Sequence, residues 1–269
     1  MGKLGKLIKK LERLSITEFS KHIRDALTSD FENVHDFLEQ NKDKIIGFIL
    51  AHIQESSLGE IGVLLYTLYV ANKDVFMEVV RELVKYKDRI IQEVESASVS
   101  EIAEFLSGLS FGEDVYKLAD PTIDIVCKNI GKYTLHDIGE FMVYLGLADK
   151  NFAKYTMSKI LGSLNKVFSE FLENAPLDDI ALFFSGISKI YSEKSTELLN
   201  SYKEKILDIF ELKIENSDPE EITGFLLLLA QVNPEFVREI FEEYREQLKE
   251  KLGEAMKTVE TLLERIEKD

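Results

Sequence analysis

The 269-residue sequence is poor in cysteine and proline, and both shortages limit what the chain can be. Its single cysteine, Cys127, has no second cysteine with which to form an internal disulfide, and its neighbours Ile125, Val126 and Ile130 predict a small core residue. The four prolines and fourteen glycines form no stretch that is rich enough in either to serve as an interdomain linker. We recognise no secretory signal and no apolar run of membrane length, so we expect a cytoplasmic protein.

The motifs of common enzyme sites are also absent. Gly59 with Gly62 and Gly108 with Gly112 lack the lysine and the serine or threonine that complete a phosphate-binding loop. The four histidines are isolated from one another and show no zinc-ligand spacing; they are His22, His35, His52 and His136. We expect His22 to occupy a core position and His136 a helix start, both with structural roles. The sequence therefore predicts no catalytic, cofactor-binding or metal-binding residue, and a protein that is not an enzyme.

Negative charge dominates the composition. Asp and Glu number 49 against 33 Lys and Arg, which gives a formal net charge of −16 at pH 7. Such a surface repels a phosphate backbone, so we expect no nucleic-acid partner. A basic protein or peptide is easier to accommodate. With 45% hydrophobic and 30% charged residues, the chain has the composition of a folded protein.

The main positive feature is an internal repeat. Six segments carry bulky or apolar residues at i, i+3, i+4 and i+7, a spacing that places all four positions on one face of a helix. The first residue of each pattern is called the anchor, and the anchors are Phe19, Ile61, Ile102, Ile138, Ile180 and Ile222. Successive anchors are separated by 42, 41, 36, 42 and 42 residues, which is typical of helical-repeat proteins.

Two further signals accompany the anchors. A hydroxyl or carboxylate three residues before an acid predicts a helix cap at Ser15 with Glu18, Ser57 with Glu60, Ser98 with Glu101, Thr134 with Asp137, and Asp218 with Glu221. Pro176 breaks this cap in the fifth copy, which keeps Asp179. The residue after each anchor is small, which predicts a neighbouring helix backbone close by; these residues are Ser20, Gly62, Ala103, Gly139, Ala181 and Thr223. A ridge of metal-binding or catalytic acids is the alternative to capping.

The repeats divide the chain into segments. We predict repeats at 15–56, 57–97, 98–133, 134–175, 176–217 and 218–252, each with two or three helices, in one elongated domain. A second recurring signature, which begins at Asn41, Tyr86, Tyr202 and Tyr244, predicts that the later helical segment is split into two. Repeat 98–133 is shorter and has Pro121 inside its second segment, which predicts a kink there.

Both ends of the chain are predicted to carry helices of their own. Residues 1–14 form a basic amphipathic helix, with an apolar stripe of Leu4, Leu7, Ile8, Leu11 and Leu14 surrounded by Lys3, Lys6, Lys9, Lys10 and Arg13. This helix could cap the repeats, bind a partner or lie on an anionic membrane. Gly253 is expected to separate the last repeat from a C-terminal capping helix at 253–269, for which coiled-coil pairing is the alternative.

Repeats near 42 residues with two or three helices resemble the armadillo and HEAT class of α-solenoids. The resemblance implies an all-α right-handed superhelix of about six repeats, and a scaffold or adaptor role. The asparagine ladder by which armadillo proteins hold extended peptides is absent. Our leading hypothesis is a non-enzymatic scaffold that binds a protein or peptide, at residues the sequence does not identify. The alternatives are a peripheral membrane protein held by Lys3, Lys6, Lys9 and Lys10, and an enzyme or regulatory subunit without a recognisable motif.

Overall fold

The protein is all-helical in this computed structural model, which describes residues 3–266. Within that range there are 19 α-helices, two short 3₁₀ helices and no β-strand, so the all-α prediction is confirmed. Residues 1–2 and 267–269 of the two predicted terminal segments lie outside the described range, as does the side chain of Lys3.

The α-helices follow one another along the chain with short connections. Their bounds are α1 (Lys3–Ile8), α2 (Ile16–Leu27), α3 (Phe31–Gln40), α4 (Lys42–His52), α5 (Leu58–Ala71), α6 (Lys73–Lys85), α7 (Lys87–Val94), α8 (Val99–Leu109), α9 (Tyr116–Lys128), α10 (Leu135–Leu145), α11 (Lys150–Leu164), α12 (Phe168–Asn174), α13 (Leu177–Ile190), α14 (Ser192–Ser201), α15 (Lys203–Lys213), α16 (Pro219–Val232), α17 (Pro234–Glu243), α18 (Arg245–Leu252) and α19 (Ala255–Ile266). The 3₁₀ helices are Leu11–Arg13 and Ile130–Lys132.

The predicted split of the later helical segments is confirmed. Asn41, Tyr86, Tyr202 and Tyr244 each separate two helices, with φ between −100° and −115° and ψ between 9° and 24°. These angles lie outside the α region and interrupt the helix at one residue. Pro121 lies inside a helical segment, as predicted, and α9 runs through it as one helix to Lys128.

The chain divides into two compact units. The first comprises the chain up to Cys127 together with Leu147–Ala153, and the second comprises Lys128–Gly146 together with the chain from Lys154 onward. In the first unit the anchor-bearing helices α2, α5 and α8 pack side by side. In the second unit α10, α13 and α16 do the same, and α19 packs against α16.

Glycine permits the closest helix crossings in both units. A Cβ added to Gly62 of α5 would lie 2.3 Å from the backbone oxygen of Glu104, and one added to Gly108 of α8 would lie 2.1 Å from that of Gly62. In the second unit, a Cβ on Gly186 of α13 would lie 2.9 Å from the backbone oxygen of Gly139 in α10. Only a residue without Cβ allows backbones this near to each other. The close approach predicted at Gly62 and Gly139 is therefore confirmed.

Polar contacts recur in the two units at matching positions. Lys42 at the start of α4 forms a 2.7 Å ion pair with Glu78 of α6 in the first unit. Lys203 at the start of α15 pairs with Glu239 of α17 in the second. In both pairs the partners are 36 residues apart along the chain. The two contacts are equivalent because similar local sequences, residues 41–45 and 202–206, stand at the starts of α4 and α15.

Both terminal segments fold onto the helices beside them. Leu7 and Leu11 are buried, since α1 packs on α3 and the turn Leu11–Arg13 packs on α4. At the other end, Gly253 adopts a positive φ of 52°, a conformation in which glycine is favoured, and separates α18 from α19. Helix α19 then packs against α16 and α18.

Candidate protein-binding surface

The acids near the starts of the anchor-bearing helices are helix caps. Capping boxes are present at Ser15–Glu18, Ser57–Glu60, Ser98–Glu101 and Thr134–Asp137. In each box the hydroxyl accepts a backbone N–H at 3.1–3.2 Å, and the carboxylate accepts the N–H of the capping residue at 2.8–3.0 Å. Among residues 3–266, no group of three or more His, Cys, Asp or Glu side chains is placed to hold a metal ion. The four predicted caps are confirmed.

The predicted cap at Asp218 is wrong. Pro219 occupies the first position of α16 as expected, but the Asp218 side chain accepts no capping hydrogen bond within the described residues. Glu221, its expected partner, instead accepts the backbone N–H of Leu177 at 2.8 Å, at the start of α13. The N-cap residue of α13 is Pro176, which has no side-chain acceptor. An acid of one anchor-bearing helix thus caps the preceding one.

His136 makes a similar link between helices. Its Nδ1 lies 2.7 Å from a carboxylate oxygen of Asp179 in α13, and its Nε2 lies 3.5 Å from Glu140. The hydrogen bond with Asp179 raises the pKa of His136. The neighbouring Asp178 is partly buried, and this burial raises its pKa, with Asp179 and Glu221 adding to the effect. These groups tie α10, α13 and α16 together in the second unit.

Two further sequence predictions can be compared with the structure. His22 was expected in the core, but it is exposed, because the short α1 leaves an open groove beside α2 there. That prediction is wrong. Cys127 was expected to be a small core residue, and it is half-buried on α9.

A group of apolar side chains is exposed on the first unit around the C-terminal ends of α5 and α8. Tyr66 is 49% exposed, Val70 is 42% exposed and Leu147 is 68% exposed. Tyr69 and Phe111 lie among them and are partly exposed. These five residues are called the apolar strip. The spacing of core residues does not indicate them, because it describes only buried positions.

Ring contacts hold the aromatic side chains of the strip in place. Phe111 stacks on Tyr69 with ring centroids 4.2 Å apart, and its centroid lies 6.0 Å from that of Tyr66. Tyr69 also packs edge-on against the buried Phe76 at 5.6 Å. The Nζ atom of Lys73 lies 5.2 Å from the centroid of Tyr69. A partner that docks here meets rings that are already ordered, so little side-chain entropy is lost on binding.

The segment that contains Leu147 lies beside the C-terminal end of α8. The backbone N–H of Asp149 donates to Ser110 Oγ at 2.9 Å, which fixes this segment beside the end of α8. Val70, Phe111 and Leu147 each lie nine residues after an anchor, so they occupy equivalent positions in three consecutive copies. This apolar ninth position is the signal by which the sequence could have revealed the strip.

Glu104 lies on the same face of α8 as Phe111 of the apolar strip. Glu104, Ser107 and Phe111 share one face of α8 and its C-terminal extension, because they follow i, i+3 and i+7 spacing. The carboxylate of Glu104 packs over α5 at Gly59, where an added Cβ would overlap its Oε2 atom. Partial burial raises the pKa of Glu104, and Glu101 adds to the shift. A cation from a partner would be favourable beside this carboxylate.

No protein-family model matches the chain, no curated protein matches its sequence and no solved structure matches its fold. Of the helices in residues 3–266, none combines the length and the apolar character that crossing a membrane requires. What the protein binds must be inferred from its own surfaces.

Proposed function

We propose that the protein is a non-enzymatic helical-repeat scaffold of the α-solenoid type, and that its apolar strip binds a protein or peptide partner. The observation that carries this proposal is the exposure of Tyr66, Val70 and Leu147 on the unit that also holds the partly exposed, stacked rings of Tyr69 and Phe111. Contiguous exposed apolar side chains mark interaction sites on soluble proteins. Tyrosine is also among the residues that dominate binding energy at interfaces.

The strip is large enough to contribute measurable affinity. Fully burying one aliphatic or aromatic side chain contributes about 1.5–3 kcal/mol. Tyr66, Val70 and Leu147 are between 42% and 68% exposed, so covering the rest of each contributes on the order of 1 kcal/mol. Together they supply roughly 3 kcal/mol, which corresponds to about a hundredfold in the dissociation constant.

The charge around the strip indicates the chemistry of the partner. Lys73 is the cation that lies against Tyr69, but Glu104 is partly desolvated on the same face of α8 as Phe111, and the whole chain carries a net charge of −16. A segment with apolar side chains and a neighbouring lysine or arginine suits both features, whereas nucleic acid would be repelled. Membrane anchoring through residues 1–14 is less well supported, because Leu7 and Leu11 of the apolar stripe are already buried against the protein.

The test is affinity capture with the tagged full-length chain from its native lysate after nuclease treatment. A triple variant, Tyr66→Ser with Val70→Ser and Leu147→Ser, should lose the partner that the unaltered chain retains, with about a hundredfold weaker binding to the purified partner. The matched control is Leu212→Ser, which removes a leucine that is 77% exposed in the second unit.

Circular dichroism must show that the helical content and melting temperature of the triple variant are unchanged. Retention of the same partner at equal affinity by the triple variant would refute the proposal. An equal loss in the Leu212→Ser protein would do so as well, since the effect would then not be specific to the strip.

A further inference from the structure

An open groove of about 1120 Å³ runs between α1 and the helices α2 and α3 in the first unit. Apolar side chains that line it are Leu4, Ile8 and Ala26, which are half-buried, and Leu7 and Phe37, which are buried. The groove is separate from the apolar strip, which involves α5 and the end of α8. Helix α1, Lys3–Ile8, borders one side of the groove.

The two sides of the groove carry opposite charge. Lys6, Lys9 and Lys10 line it from α1 and the turn that follows. Asp25, Asp30 and Asp36 line it from α2, the connection to α3, and α3 itself. All six side chains are exposed. A ligand of uniform charge, such as an anionic membrane surface or a nucleic acid, would be attracted by one side and repelled by the other.

Helix α3, which borders the groove, sets the length of a ligand helix that could lie along it. It has ten residues and is therefore about 15 Å long. A ligand helix laid beside it would have about three turns. The groove is bordered by α-helices, whose backbone groups are bonded internally, so it offers no strand edge to an extended peptide. A helix satisfies its own backbone and brings only side chains to the site.

We propose that this groove binds an amphipathic α-helix of about three turns from a partner protein. Its apolar face lies against Leu4, Ile8, Ala26 and Phe37. Its acidic edge faces the three lysines on the α1 side, and its basic edge faces the three aspartates on the α2 and α3 side. The charge complementarity of the two sides determines this ligand class, since it requires both signs on one helix.

The test uses a displayed library of helical peptides with a fixed leucine stripe and Lys or Glu varied at the two flanking edges. Selection on the full-length protein should enrich peptides with Glu on one edge and Lys on the other. The enriched peptides should bind Lys9→Glu and Asp36→Lys proteins at least fivefold more weakly by fluorescence anisotropy. The matched controls Lys21→Glu and Glu32→Lys alter exposed residues of α2 and α3 that do not line the groove, and they should bind normally.

Amide hydrogen exchange supplies a second measurement that needs no variant. An enriched peptide should slow exchange in residues 4–10 and 22–41, and it should bind the triple variant of the apolar strip without loss. Selection of peptides with one charge on both edges would overturn the proposal. Equal affinity for the groove variants and their controls would also overturn it, as would protection confined to other residues.

Discussion

Replacing Gly62 with alanine tests the closest helix crossing of the first unit. The new Cβ would lie 2.3 Å from the backbone oxygen of Glu104 and 2.7 Å from the backbone nitrogen of Phe105. Both atoms belong to the backbone of α8, so no side-chain rotation can relieve the overlap. Helices α5 and α8 must move apart, and the side chains packed along their crossing lose contact.

Two effects of this substitution oppose each other. Alanine is favoured over glycine inside a helix by about 1 kcal/mol. Overpacking of a close-packed core costs about 1–3 kcal/mol, and a clash with backbone belongs at the upper end of that range. We therefore expect Gly62→Ala to lower the free energy of unfolding by about 2 kcal/mol. At about 2–4 °C per kcal/mol for a chain of this size, the melting temperature should fall by about 4–8 °C.

The control is the same substitution at Gly47 in the middle of α4. Gly47 is exposed, and a Cβ there meets no atom of the described chain within 4 Å. Only the helix preference of alanine acts at this position, so Gly47→Ala should raise stability by about 0.5–1 kcal/mol. Thermal denaturation followed by circular dichroism compares the two variants with the unaltered protein. Stabilisation of similar size by both would refute the inferred closeness of α5 and α8.

Three further predictions concern single polar side chains. Ser57→Ala removes a capping-box hydroxyl and should lower the free energy of unfolding by about 1 kcal/mol. Asp218→Ala should change it by less than about 0.5 kcal/mol, because the Asp218 side chain makes no cap hydrogen bond in the described residues. Urea denaturation measures both changes. His136→Gln should be destabilising at pH 5.5, by less than about 1 kcal/mol because the ring is half-exposed. Because the pKa of His136 is raised in the folded protein, protonation of the ring stabilises the fold at pH values below the ordinary pKa of 6.5. This stabilisation is lost as pH rises through the pKa of the folded state. A destabilisation by His136→Gln that stays constant up to pH 9 would contradict this prediction. Thr156→Val should stabilise by about 1 kcal/mol in calorimetry, because within residues 3–266 the buried Thr156 Oγ1 has no hydrogen-bond partner. Thr122→Val should give no such gain, because Thr122 Oγ1 donates to a backbone carbonyl at 2.8 Å.

Features that depend on nearby residues could be predicted from the sequence. The capping boxes at Ser57 and Thr134 join residues three apart, so the sequence contains both partners of each interaction. The one-residue breaks at Tyr86 and Tyr202 were visible because their local signature recurs. The close approach at Gly62 could be predicted because every copy has a small residue at that position.

Features that depend on distant residues could not be predicted. Glu221 caps a helix start 44 residues earlier, and no local pattern distinguishes that role from capping its own helix. His22 has the spacing of a core position, but its exposure depends on where α1 lies, and α1 packs on α3 without covering it. The apolar strip could be predicted only in part. The ninth position after three anchors is apolar in the sequence, but exposure of Val70 and Leu147 is known only from the structure.

Photo-cross-linking from Tyr66 tests partner binding by the apolar strip most directly. A photoreactive phenylalanine analogue is placed at Tyr66 or Leu147, and in a control at Leu212, in the full-length protein within its native lysate. We expect one and the same protein to be cross-linked from Tyr66 and Leu147, to disappear when excess unaltered protein competes, and to be missing from the Leu212 sample. Equal cross-linking of that protein from Leu212, or no competed product from either strip position, would contradict the proposed role of the strip.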